Sequence, residues 1–363
     1  MDHRREGQVL DLMKPSAEYQ VEFLSNVQRL LAEGQFVATY KYALLLAIAD
    51  IAVELGDDSG DGMPIATRKL AEKFVEYYWR QAVPYQPPGR SGGVLRQNTG
   101  KQAGVVVHLH ALRDQQPSLS KLKRNQKLWR HIVRDVDQIV KTMPLWKLQT
   151  VGRSSLEFLY ENRMSGAVID LKPGVAFCMR QFHGLLQELV QGAWIRYVRR
   201  HNPELLGTTT DLTEFMFGSE RASLQAAVPV LREVQGDLCF YCARRLSRVA
   251  GEAHVDHFVA WSRYPVDLGH NFVLADSRCN SAKADHIASV EHLDRWAERN
   301  SRFGRELESG FHQKDVLYDL TATLHITRWA YSQTAVSQGL TWSHNKELVR
   351  LRPDWEIILG PTP

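Results

Sequence analysis

Apolar residues recur at three- and four-residue intervals along most of this chain, and that spacing predicts a mainly helical protein. Tyr19 to Leu31 and Tyr40 to Leu55 are the first two expected helices, with Gly34 between them and a loop from Gly56 to Gly62. In the second, Leu44, Leu45, Ile48, Ile51 and Ala52 form a wide apolar stripe. Lys41, Asp50 and Glu54 interrupt it and read as charges at its edge. A third helix starts at Thr67 and passes through Lys73, Phe74, Tyr77, Tyr78, Trp79 and Arg80. At helical spacing its aromatics read as core rather than as base-stacking groups. Pro84 to Gly93 is dense in turn residues and reads as a connector.

Ser118 to Thr142 predicts one long helix bearing Lys121, Lys123, Arg124, Lys127, Arg130 and Arg134. Those cations either track a phosphate backbone, with Lys123 and Lys127 the candidate contacts, or form a solvated face. Ser154 to Tyr160 and Ala167 to Leu171 read as a hairpin around residues 162–166. After Pro173-Gly174 comes a helix from Val175 to Arg200, with Cys178, Phe182, Leu185, Leu186, Leu189 and Trp194 facing inward. Its terminal Arg196, Arg199 and Arg200 suit the negative end of a helix. Asn202-Pro203 stops it, and 207–211 is a loop. Ser223 to Val234 is helical despite Pro229. Beyond Ile287 the pattern gives helices over Val290 to Asn300, Arg302 to Leu307 and Asp315 to Val336, then a terminal strand from Trp355 to Leu359.

At 363 residues the chain is long enough for two or three domains. A net charge of +4 is too mild to name a partner, so any nucleic-acid contact must come from local patches. The best apolar run, Tyr42 to Ala49, is stopped by Asp50 well short of the ~20 residues of a membrane span. Charges at Met1 to Glu6 stand where a signal peptide would have its apolar core. With only four cysteines, three of them close to one another in a motif, a reducing, cytoplasmic setting without membrane contact is expected.

The stretch with the densest chemistry runs from Cys239 to Ile287. It contains Cys239-Phe-Tyr-Cys242, then His254-Val-Asp256-His257, then Asn271, then Asp276 and Cys279-Asn280-Ser-Ala-Lys283. The close cysteine pair has the spacing that lets one tetrahedral Zn²⁺ take both thiolates. Cys279 is a third candidate ligand and Asp276 a fourth. His257 has an imidazole suited to take a proton from water near neutral pH, and Asp256 is a hard oxygen donor of the kind Mg²⁺ prefers. Adjacent residues of a regular strand point to opposite faces, so Asp256 and His257 share a site only if the chain bends there.

In residue order this stretch resembles the HNH nucleases, whose ββα-metal motif carries a histidine base and one divalent ion. The resemblance implies His257 as general base and Asn271 as the residue that orients it. It implies Asp256 and Asn280 as ligands of a catalytic Mg²⁺ (or Mn²⁺), and Cys239, Cys242, Asp276 and Cys279 around a structural Zn²⁺. Lys283, one turn beyond Asn280, is the expected backbone contact. The fold class expected is therefore mainly α, with a small α+β ββα-metal (HNH) module near the C-terminus. The expected domains are a helical region 1–230, the module 231–300, and a helical segment 301–363 packing on the body. The implied function is metal-dependent hydrolysis of nucleic acid, with DNA as the expected substrate, in bacterial defence or a mobile element. A catalytically inactive, zinc-stabilised nucleic-acid-binding or assembly protein is the alternative. The long helical N-terminal region is then the place for a partner protein or effector.

Overall fold

In the computed structural model the described residues are 14–87, 91–162, 166–206, 211–219, 221–247 and 253–360. The expected charged start at residues 1–6, part of the Pro84 to Gly93 connector, the hairpin turn at 163–165 and most of the 207–211 loop lie outside them. The chain divides into two compact units, Met1–Phe217 and Gly218–Pro363.

The first unit contains α1 (Ala17–Glu33), α2 (Tyr40–Leu55), β1 (Met63–Ala66), α3 (Thr67–Gln81), α4 (Gly104–Arg113), α5 (Leu119–Arg124) and α6 (Gln126–Thr142). After these come α7 (Pro144–Lys147), β2 (Thr150–Val151), β3 (Ser154–Ser155), β4 (Val168–Leu171), α8 (Val175–Gln181), α9 (His183–His201) and α10 (Thr213–Phe217). Helix α2 is the centre of this unit. It is buried on nearly every side and packs against α3, α8 and α9, as a helix apolar all round must. Asp50 and Glu54 are consequently not edge charges. Asp50 accepts from the Tyr77 hydroxyl at 2.6 Å and meets His183 Nε2 at 2.8 Å. Glu54 meets Lys73 Nζ at 2.5 Å, and Glu76 bridges Lys73 and Lys123. A deeply buried carboxylate or ammonium is tolerated in such a core only when paired in this way.

Three elements differ from expectation for identifiable reasons. The helix expected from Ser118 breaks at Asn125, whose backbone leaves helical geometry (ψ 80°) while its side chain caps α6 by accepting from Leu128 N. The Val175 to Arg200 helix breaks at Phe182; Cys178 before the break is buried, and beyond it Leu186 and Trp194 are buried while Leu185 and Leu189 are exposed. Of the expected 154–171 hairpin only the antiparallel bridge Tyr160↔Leu171 forms, with Lys172 N donating to the Leu159 carbonyl at 2.9 Å, and the rest of each arm pairs elsewhere. β4 pairs antiparallel with β1 in the register Met63↔Leu171 to Ala66↔Val168, and β3 pairs with β2.

The second unit contains α11 (Arg221–Gln235), β5 (Ala253–His257), a 3₁₀ turn at Gly269–Asn271, β6 (Phe272–Asp276) and α12 (Ser277–Lys283). It continues with α13 (Val290–Gln313), α14 (Leu320–Val336), β7 (Leu340–His344), β8 (Glu347–Arg350) and α15 (Trp355–Leu359). β5 and β6 form an antiparallel pair followed directly by α12, a β-β-α unit. α13 joins two expected helices across a kink at Phe303 and backs the unit. From it Trp296 stacks on Phe258 with ring centroids 5.1 Å apart, and Arg299 donates to the carbonyls of His270 and Phe272. Trp355–Leu359 is a helix rather than the expected strand: burying Trp355 beside Tyr331 outweighs the β propensity of its two isoleucines. No described helix is long and apolar enough to cross a membrane.

Candidate metal centre

Three free thiols meet where the segment before β5 approaches α12. Cys239 and Cys242 lie in a tight knuckle in which Cys239 N donates to the Arg244 carbonyl (2.8 Å) and Ala243 N to the Cys239 carbonyl (3.0 Å). Ala243 holds a left-handed backbone, φ 56°, a conformation that costs an L-residue energy and turns the chain back at once. The Phe240 N–H donates to the Leu274 carbonyl, which fastens the knuckle to the outer edge of β6. Arg295 on α13 donates to the Phe240 and Tyr241 carbonyls at 3.1 Å each. Cys279 reaches the same point from the first turns of α12.

One donor atom from each of Cys239, Cys242 and Cys279 lies within 4.8 Å of the others, with Cys239 buried and Cys242 exposed. Burial raises the pKa of the Cys279 thiol. Burial opposes ionisation of Cys242 as well, but the Arg244 main-chain N–H and the two neighbouring thiols outweigh it and lower its pKa. Three soft donors gathered from two chain segments fit a thiophilic ion such as Zn²⁺. Asp276 does not join them. Its carboxylate caps α12 by accepting from Arg278 N at 2.9 Å, and its own N–H donates to Cys239 Sγ at 3.3 Å. It lies outside the group of three donors, and its main-chain N–H supports one of their sulfurs.

The residues expected to hold Mg²⁺ are arranged differently. β5 is regular up to His257, paired Asp256↔Val273 and His257↔Phe272 without a bulge, so the expected bend is absent and the two side chains part. Asp256 turns toward α12 and the knuckle: Tyr241 donates to Oδ2 at 2.5 Å and Lys283 Nζ lies 3.1 Å from the same oxygen. Lys283 is fully buried, so it is not the surface phosphate contact expected of it. His257 turns the other way and donates from Nε2 to Asp267 at 2.8 Å, with its ring edge-on to Phe272. Ser219 also donates to Asp267. Asn280 is half-exposed on α12. Both Asp256 oxygens are engaged by Tyr241 and Lys283, so in this arrangement the Asp256–Asn280 pair offers a divalent ion no free carboxylate oxygen.

Asn271 was expected to orient His257; its side chain is bonded instead to the main chain two residues beyond that histidine. Its Oδ1 accepts from Val259 N at 2.8 Å and its Nδ2 donates to the Val259 carbonyl at 3.0 Å, clamping the loop that leaves His257. Tyr241 and Asp267 were not picked out from the sequence. Tyr241 is visible only as a residue between two cysteines, and Asp267 as one carboxylate in a loop. In the first unit, Lys123 is committed to Glu76 at 2.6 Å, which leaves Lys127 as the exposed member of the basic pair.

A family model described as a domain of unknown function (DUF8808) matches residues 20–211, just over half of the chain. The chain belongs to this family. Comparison with curated proteins and with solved structures gave no match. The DUF8808 stretch takes in α2, α3 and α9, and with them the buried Asp50–Tyr77–His183 and Glu54–Lys73–Glu76 networks. It ends before the three cysteines, so the β-β-α unit and its cysteine cluster follow the DUF8808 match along the chain and are not part of it.

Proposed function

We propose that the C-terminal unit is a zinc-stabilised ββα module of HNH type that binds nucleic acid, appended to a DUF8808 domain. The observation that carries this reading is the convergence of Cys239, Cys242 and Cys279 from the knuckle and α12, which lets one Zn²⁺ tie together both ends of the β-β-α unit. Zinc in such a site supplies folding energy. Arg244 and Arg245 on the knuckle and Arg278 at the start of α12 are exposed beside the cluster, and guanidinium groups are suited to phosphate oxygens. The DUF8808 domain, with its buried charge networks, is the part available to an effector or partner protein.

Hydrolysis is the second reading, favoured by the way His257 is held. Asn271 clamps the loop after it, and Asp267 accepts a hydrogen bond from Nε2–H, which leaves Nδ1 as the acceptor a general base needs. One experiment separates the two. Labelled DNA and RNA oligonucleotides and supercoiled plasmid are incubated with the full chain, with Mg²⁺ or with EDTA, beside His257→Ala. Salt-sensitive binding without cleavage supports the first reading. Cleavage by the wild type that His257→Ala lacks moves the assignment to the nuclease. No binding to any of these substrates refutes both.

A further inference from the structure

Lys283 is the last residue of α12 and has no solvent exposure, a rare position for an ammonium group. Its Nζ donates to the His257 carbonyl at 2.9 Å and lies 3.1 Å and 3.5 Å from the two oxygens of Asp256. The Tyr241 hydroxyl completes the set at 2.5 Å from Asp256 Oδ2. One buried negative charge is thus matched by one buried positive charge. Each ammonium contact falls on an oxygen: two of a carboxylate and one of the peptide at the end of β5. The C-terminal carbonyls of a helix add further negative potential at this point.

We propose that Lys283 is the resident cation of the ββα module: its ammonium fills the place beside Asp256 that a divalent ion would need. While Lys283 is present, the module does not take up Mg²⁺ or Mn²⁺ through Asp256. A hard divalent ion keeps several waters and wants about six oxygens at close range, and Asp256 at 8% exposure offers neither the room nor a free carboxylate. Bringing such an ion next to an unmoved ammonium would also set like charges side by side in a poorly solvated site. The inference rests on the ββα reading of this unit but not on its binding or cleaving nucleic acid.

The test uses Mn²⁺ alone as the probe, with binding to the zinc-loaded full chain read by loss of the free-ion EPR signal. The proteins compared are wild type, Lys283→Ala, the double variant Lys283→Ala/Asp256→Asn, and Asp256→Asn/Lys283→Met, which removes both charges and keeps side-chain bulk. Wild type and Asp256→Asn/Lys283→Met are expected to show the same weak background. Lys283→Ala is expected to gain a site at least about tenfold tighter, lost again in its Asp256→Asn double variant. Zinc content and circular dichroism report whether each variant is folded. A wild-type site that is at least tenfold weaker in Asp256→Asn/Lys283→Met overturns the proposal, and so does a folded Lys283→Ala protein with no added Mn²⁺ binding. If Lys283→Ala does not fold, the comparison of wild type with the charge-free double variant decides alone. Failure of the functional reading would appear instead in oligonucleotide binding, which this measurement does not involve.

Discussion

Acid should loosen the C-terminal unit well before its carboxylates titrate, because two of its histidines are buried in the neutral form. His270 has no solvent exposure, and neither ring nitrogen makes a hydrogen bond of normal geometry. Burial, and then the Arg299 charge, lowers its pKa to about 4, against smaller opposing influences of the Gly304 main chain and Asp319. His292 is likewise lowered to about 4, chiefly by burial, against its hydrogen bond to the Ser343 carbonyl. An unfolded histidine titrates near ~6.5, so the folded pKa is depressed. The stabilisation is complete above that value and is lost as pH falls toward the folded pKa. A shift of this size is worth about 3 kcal/mol per histidine in full, and about 2 kcal/mol of it is gone by pH ~5. Urea unfolding of the full chain from pH ~7.5 to ~5 should therefore show a fall of about 4 kcal/mol for the transition that carries the second unit. His270→Phe keeps a ring beside Phe311 and Tyr318 and should remove about half of that dependence. An unchanged pH slope in His270→Phe would refute the burial argument.

Purified protein should carry about one zinc per chain by metal analysis. Cys239→Ser or a chelator should lower the melting temperature, whereas Asp276→Ala should keep the metal and cost only the helix cap, about 1 kcal/mol. Asn271→Ala should destabilise the loop after His257 by about 1–3 kcal/mol, since two main-chain groups of Val259 lose their partner, and faster hydrogen exchange at Val259 would report it. Lys127→Glu tests the basic face of α6 without disturbing the Lys123–Glu76 pair. A weaker affinity and a shallower salt dependence are expected if that face meets phosphate, and no change if it is solvated.

What could be read from the sequence is local, and what could not is tertiary. The cysteine pair and Cys279 were visible because they act through a spacing that the chemistry itself sets, whereas the clamp that Asn271 places on Val259 was not. The helical pattern located α1, α2 and α3 for the same reason. Hydrophobic periodicity does not say how many sides of a helix are covered, so Asp50 and Glu54 were misplaced at an edge when α2 is the centre of its unit. Lys283 was misread through the same blindness: an ammonium four residues past a cysteine looks exposed until Asp256 and Tyr241 are seen around it. Strand pairing was the least legible, because Ala167 to Leu171 carries no mark that it pairs along its length with β1 and touches its neighbour only at Tyr160↔Leu171.

That pairing has a kinetic consequence. β1 and β4 are joined across about a hundred residues of intervening chain, and α3 begins where the Thr67 N–H donates to the Ala167 carbonyl at 2.8 Å. Closing a loop of that length costs about 4 kcal/mol of chain entropy before any contact rewards it. The two strands are therefore expected to meet late, after α3 to α7 have collapsed on α2 and shortened the effective path. During synthesis, β1 leaves the ribosome long before its partner exists, and its backbone edge stays open to other chains for that interval. A ribosome that stalls before residue 168 would release a helical body with an unpaired strand, a species prone to associate with copies of itself.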